Sequence, residues 1–162
     1  MSNIYLPEHF KIVSASAGCR TTNGGVTFDT ISLKNAHMVW IVAHFRQAVA
    51  HATTIQPVVG TAVASCATAI TFVANWWKNV DVSSTDTLVK QTAATSMACD
   101  AAATDHLVVI QIDPAAVAAQ SATYTALGGT IATSAQATNF VSAVYYIQER
   151  YPQATPPAAI TD

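Results

Sequence analysis

The chain is 162 residues long, enough for one domain with a core of its own. Hydrophobic residues make up 51%, which excludes compositional disorder, but charged residues make up only 10%, against roughly 25% in an average soluble protein. A net charge of −2 leaves neither the basic footprint of a nucleic-acid binder nor a polybasic patch for an anionic membrane surface.

The first residues, Met-Ser-Asn-Ile-Tyr-Leu-Pro-Glu, hold no basic segment followed by an apolar one, so no secretory signal is expected. Residues 1–25 read as an N-terminal arm with a first short strand over Phe10 to Ser14. Asn23-Gly24-Gly25 is a turn cluster, and the strand Val26 to Leu33 follows it. In that run Val26 and Phe28 share one face while Ile31 and Leu33 share the other, which calls for a bulge near Thr30 or burial of both faces. His37 to Phe45 is apolar on both faces and fits a central strand of a two-layer structure, with a helix as the competitor. From Arg46 to Thr68 the chain reads as a long irregular connection containing Pro57 and Gly60. Strand character returns over Ala69 to Ala74.

Trp76-Trp77 reads as an aromatic anchor at a strand end, Val82 to Thr87 as polar loop, and Leu88 to Lys90 as a restarted strand. His106 to Ile112 is the cleanest strand. Asp113-Pro114 ends it and caps a short helix over Ala115 to Gln120. Tyr124 to Ile131 reads as a strand turned at Gly128-Gly129. Asn139 to Gln148 is a long final strand with Val141, Ala143, Tyr145 and Ile147 on one face and Phe140, Val144 and Tyr146 on the other. About eight strands and little helix predict an all-β single domain, a β-sandwich or jelly roll over residues 26–150, with extended arms at both ends. The C-terminal arm, residues 151–162, is Pro-rich.

No Asp, Glu, Lys or Arg occurs between Arg46 and Lys78, or between Asp113 and Glu149. Thr61, Ser65, Thr68, Thr71 and Asn75 interrupt the most apolar stretch, Val58 to Trp77, so a membrane-spanning helix is not expected. Two explanations remain: a small-residue β protein, or a protomer whose uncharged surfaces are covered in an assembly. In either case the two neutral segments are expected to carry a large share of the core and of the surface between subunits.

The residues offer little for catalysis. His37, His44 and His51 recur every seven positions, too far apart on a helix to share one metal and on opposite faces of a strand. Asp100, Asp105 and Asp113 read as loop and cap residues, and Asp81 to Asp86 only weakly imitates a calcium loop. Cys19, Cys66 and Cys99 are widely spaced and odd in number, as expected of free or buried thiols. No enzyme activity, cofactor or metal is expected. Trp76-Trp77 and Tyr145-Tyr146 are adjacent pairs, so on a strand one member of each turns inward and the other is free for a sugar or a protein interface.

Four stretches are read together: Ile31 to Phe45, Trp76 to Asp81, Asp105 to Pro114, and Val144 to Pro152 running on to Pro156-Pro157 and Ile160. Together they resemble the small capsid decoration (cement) proteins of tailed bacteriophages. The resemblance implies a non-enzymatic, β-rich homotrimer, assembled in the host cytoplasm and bound to the outside of a capsid made of a separate major capsid protein. It would bridge capsomers, without binding nucleic acid or membrane. The interface residues expected on this reading are Trp76, Trp77, Tyr145, Tyr146, Tyr151, Pro156 and Pro157. A tail or head-completion component and a carbohydrate-binding β-sandwich are the alternatives.

Overall fold

The structure, a computed structural model, describes residues 6–151. Its elements in chain order are α1 (Leu6–His9), β1 (Phe10–Ser14), β2 (Arg20–Thr21), β3 (Val26–Thr27), β4 (Ile31–Ser32), β5 (Ala36–Gln47), β6 (Thr54–Ala62) and β7 (Ser65–Ala69). They continue with β8 (Asn75–Asn79), β9 (Val89–Lys90), β10 (Met97–Ala98), β11 (Asp105–Ile112), α2 (Pro114–Gln120), β12 (Ala126–Ile131) and β13 (Asn139–Glu149). Two antiparallel sheets pack against each other as an all-β sandwich. Sheet A has seven strands in the order β1-β13-β5-β11-β8-β9, with β2 also on β13. Sheet B has six, β10-β6-β12-β3, with β4 on β12 and β7 on β6.

The period-two patterns of β5, β11 and β13 decide which side faces in. Val39, Ile41, Ala43 and Phe45 are buried, as are Val108, Ile110 and Ile112 on β11 and Val141, Ala143, Tyr145 and Ile147 on β13. From sheet B come Ile55, Val59, Leu127 and Ile131. Each such side chain contributes about 1.5–3 kcal/mol of apolar burial, so these rows are what hold the two layers together. Asp113 caps α2 by accepting from the Ala115 N–H at 2.8 Å, with Pro114 in the first turn.

The segment Val26 to Leu33 contains the bulge. Val26 is in register with Ile131 and Ile31 with Leu127, five steps against four, so one extra residue is accommodated between β3 and β4. That shift turns Val26, Phe28, Ile31 and Leu33 all inward.

Three expectations are corrected. The Ala-rich stretch after Arg46 is not an irregular connection: Thr54–Ala62 and Ser65–Ala69 form β6 and β7, whereas Ile70 to Phe72 lie outside any strand. Pro57 is tolerated inside β6 because its ring occupies the gap between β10 and β7, where no partner strand needs its N–H; its carbonyl accepts from Ile70 there at 3.2 Å. Gly128-Gly129 is not a turn but the middle of β12, paired with Val58 and Pro57. The reason is space: a Cβ on Gly129 would lie 2.6 Å from the Phe28 ring, and one on Gly128 would lie 2.8 Å from Cγ2 of Thr30.

Candidate interaction surface

Among the described residues sheet A has one neighbouring layer, and apart from Leu6 of α1 at the β1 end they leave the side of β5 that faces away from the core uncovered. On a doubly apolar strand this leaves Met38, Trp40 and Val42 at the surface, each half-buried by its neighbours alone. Register extends them into rows across the sheet. One row holds Ile12, Tyr146, Trp40, Gln111 and Asn75 side by side. The next holds Val144, Val42, Val109 and Trp77, and Phe10, Gln148 and Met38 form a third at the β1 end.

The Phe10 ring meets Trp40 edge-on with centroids 5.7 Å apart. Between them Leu6, Phe10, Trp40, Val42, Val109 and Tyr146 line an almost wholly apolar hollow of about 270 Å3. Charge enters only at the margins. Arg46 and Asp105 are cross-strand neighbours at one end, and Lys90 sets its ammonium 5.8 Å from the Trp77 ring centroid on the β9 side. Ile12, on the outermost strand of this face, is 46% exposed.

The expected interface residues separate along these lines. Trp77 and Tyr146 lie on the outer face, with β5 and β11 between them. Trp76 and Tyr145 are core residues instead. Trp76 donates its Nε1–H to the Thr92 carbonyl at 2.9 Å. Tyr145 is fully buried, edge-on to Phe28 at 6.5 Å, and donates its hydroxyl proton to the Asp29 carbonyl at 2.9 Å. Burial pushes that hydroxyl well above the ordinary phenol range. The period of two requires such a split, so Trp76 and Tyr145 are structural and do not reach a partner. Tyr151 follows β13 and is 73% exposed. Pro156 and Pro157 lie outside the described residues. Sequence reasoning missed Phe10, Ile12, Met38, Trp40, Val42 and Val109. For Met38, Trp40 and Val42 the signal was the two-sided apolar pattern of His37 to Phe45, read as a central strand of a two-layer structure; Phe10, Ile12 and Val109 join them only through strand pairing.

The remaining polar groups serve the fold. Among the described residues no three His, Cys, Asp or Glu side chains gather as a metal site. His37 and His44 are exposed. Buried His106 places Nε2 3.0 Å from the Ala102 carbonyl, which can only accept, so that nitrogen carries the proton. The Asp81 carboxylate accepts from the Ser83 and Ser84 hydroxyls and the Ser83 N–H, bonds that hold it below the usual carboxylate range. Desolvation raises the thiol of buried Cys99 to about 12 and that of half-buried Cys66 to about 11, so both favour the protonated form at neutral pH. No helix among the described residues is long and apolar enough to cross a membrane. No protein-family model matches the chain, and no match was found among curated proteins or solved structures.

Proposed function

We propose that this chain is a non-enzymatic virion structural protein, a capsid decoration protein that joins the outer surface of a phage head and reinforces contacts between capsomers. The observation that carries the reading is the outer face of sheet A, whose central rows are uncharged and, apart from Gln111 and Asn75 at one end, aromatic or aliphatic. A monomeric sandwich gains nothing from an aromatic and aliphatic face turned to water, whereas an assembling one uses it as contact area. The resemblance of the sequence to decoration proteins suggests the capsid as the setting, and the major capsid protein and further copies of the chain as the partners. The test is to image purified particles of the virus that encodes it. Regularly spaced copies over the shell support the reading; absence from the shell, or a ring confined to the portal or tail, refutes it.

One observation favours a second reading. Tyr146 and Trp40 are register partners on the outer face, and two neighbouring aromatic rings can form a platform for a sugar. Glycan-array binding that disappears on Trp40→Ala would select this carbohydrate-binding alternative.

A further inference from the structure

We infer that the outer face of sheet A is covered by a second copy of the same face, two copies meeting about a two-fold axis that lies in the plane between them. The inference rests on reading this face as an assembly surface and names what occupies it.

Three features make the face its own complement. The first is charge. Its two central rows contain no Asp, Glu, Lys, Arg or His, and their polar members are Gln111, Asn75 and the Tyr146 hydroxyl, so two such rows meet without burying a like-charge pair. At the rim Arg46 and Asp105 are cross-strand neighbours, one of each sign, so the end of the face is neutral as a unit toward its own copy. The second is relief. The face carries a hollow of about 270 Å3 between Leu6 and Val109, and beside it two protruding aliphatic side chains, Ile12 at 46% and Leu6 at 49% exposure. A surface with both a socket and knobs of matching chemistry can engage a copy of itself reciprocally, as an isologous contact requires.

The third is area. Five strands, β1, β13, β5, β11 and β8, cross the face, and its three rows hold five, four and three residues. At about 4.8 Å per strand and about 6.8 Å per row, these positions cover a flat footprint of about 400 Å2. Two such footprints give about 800 Å2, and the relief added by Ile12, Phe10 and Leu6 supplies the remainder of the about 1,000 Å2 that a specific interface needs. The packing would repeat the one inside each sandwich, with sheets about 10 Å apart and their strands roughly aligned.

Face-to-face pairing also bears on the trimer that the resemblance implies. A three-fold assembly needs two different patches on each copy, so it must be built through other surfaces. Pairing and a three-fold axis can then coexist only in an even-numbered assembly.

The experiment is light scattering coupled to size exclusion on the full chain, with the variants Val42→Asp and Ile12→Asp. Val42 is central to the face, while Ile12 is exposed enough that a carboxylate there stays solvated in the single copy. The expected wild-type mass is an even multiple of 17.0 kDa, and Ile12→Asp halves it with the far-ultraviolet spectrum unchanged. Val42→Asp does the same if it folds, and Ile12→Asp decides the matter if it does not. A wild-type monomer or trimer, or an Ile12→Asp protein of undiminished mass, overturns the inference. The decoration reading is judged separately on particles. A monomer that coats capsids overturns the pairing and keeps the function, whereas a pair that never binds capsids does the reverse.

Discussion

Gly129 lies against the ring of Phe28, which in turn packs on Tyr145 of sheet A, and replacing it by alanine tests how the sandwich is closed. The residue sits mid-strand opposite Pro57, and the added Cβ would stand 2.6 Å from Cδ2 of Phe28 and 3.1 Å from Cε2. Phe28 is 2% exposed and its ring is held edge-on against Tyr145 at 6.5 Å, so it cannot swing aside without disturbing the Tyr145 hydrogen bond to Asp29. Overpacking of this kind costs about 1–3 kcal/mol. The lower entropy of an unfolded alanine offsets about 0.4–1 kcal/mol of that, leaving a net loss of about 1–2 kcal/mol. In a urea titration with a slope near 2 kcal/mol/M, the midpoint of Gly129→Ala should fall by about 0.5–1 M. Gly24→Ala is the control, because a Cβ there meets nothing within 4 Å; it should stay within about 0.5 kcal/mol of wild type. Phe28→Leu should cost less in the Gly129→Ala background than alone, giving a coupling of about 0.5 kcal/mol or more in a double-mutant cycle. A Gly129→Ala protein as stable as wild type would show that Phe28 does not fill this space.

Three further outcomes follow from the same packing. Gly60→Ala should be worse, by about 3 kcal/mol or more, because its Cβ would fall 1.8 Å from the Ser65 carbonyl oxygen, a backbone atom that moves only if β7 leaves β6; hydrogen exchange should report lost protection over both strands, and retained protection counts against this. At neutral pH a maleimide should modify one thiol, exposed Cys19, and three once the protein is unfolded; three adducts on the folded protein would contradict the burial of Cys66 and Cys99. From neutral pH to about pH 9 stability should be constant, and it should fall above that. The unfolded chain releases its thiol protons near 9.0, while folded Cys66 and Cys99 hold theirs to about 11 and about 12, so between those values the unfolded state binds fewer protons and gains on the folded one. Tyr145, raised from 10.0, acts in the same direction. A urea midpoint at pH 10.5 equal to that at pH 7 would refute this.

Where local pattern and burial agree, the elements were legible. β11 and β13 alternate cleanly, and Asp113-Pro114 is both a strand stop and a helix cap, so these were readable to within a residue or two. β6 was hidden because Pro57 and Gly60 are turn residues by composition. Their place in a strand depends on a gap between β10 and β7 and on a close approach by β7, both long-range facts. Gly128-Gly129 was misread for the same reason, since the ring that excludes a Cβ belongs to Phe28, about a hundred residues earlier. Pairings such as β1 with β13 join the two ends of the described chain, and no local signal marks them. The candidate surface was half legible. Period-two alternation separates Trp77 from Trp76 and Tyr146 from Tyr145 without any structure. It cannot say how many layers the fold has, and so cannot tell whether Trp40 and Val42 are covered or exposed.

The shortage of charge has more than one cause, and two substitutions separate them. About half of the buried apolar residues fall in the two neutral segments, which make up a similar share of the described chain, so the core alone does not explain their lack of charge. Val144 and Tyr146, on the outward side of β13, are uncharged and half-buried; on the pairing proposed above, their neutrality suits a face that a second copy covers. Solvent-facing Ser65, Ala67 and Thr68 of β7 are also uncharged, and nothing in the fold requires it. Thr68→Lys should therefore leave both the urea midpoint and the solution mass unchanged. Val144→Lys, equally far from the core, should keep the midpoint within about 1 kcal/mol and reduce the mass. The charge would sit among the apolar rows of two copies, where an unpaired ammonium is costly to desolvate. Equal effects from the two lysines would mean that neutrality on β13 has no more to do with assembly than neutrality on β7.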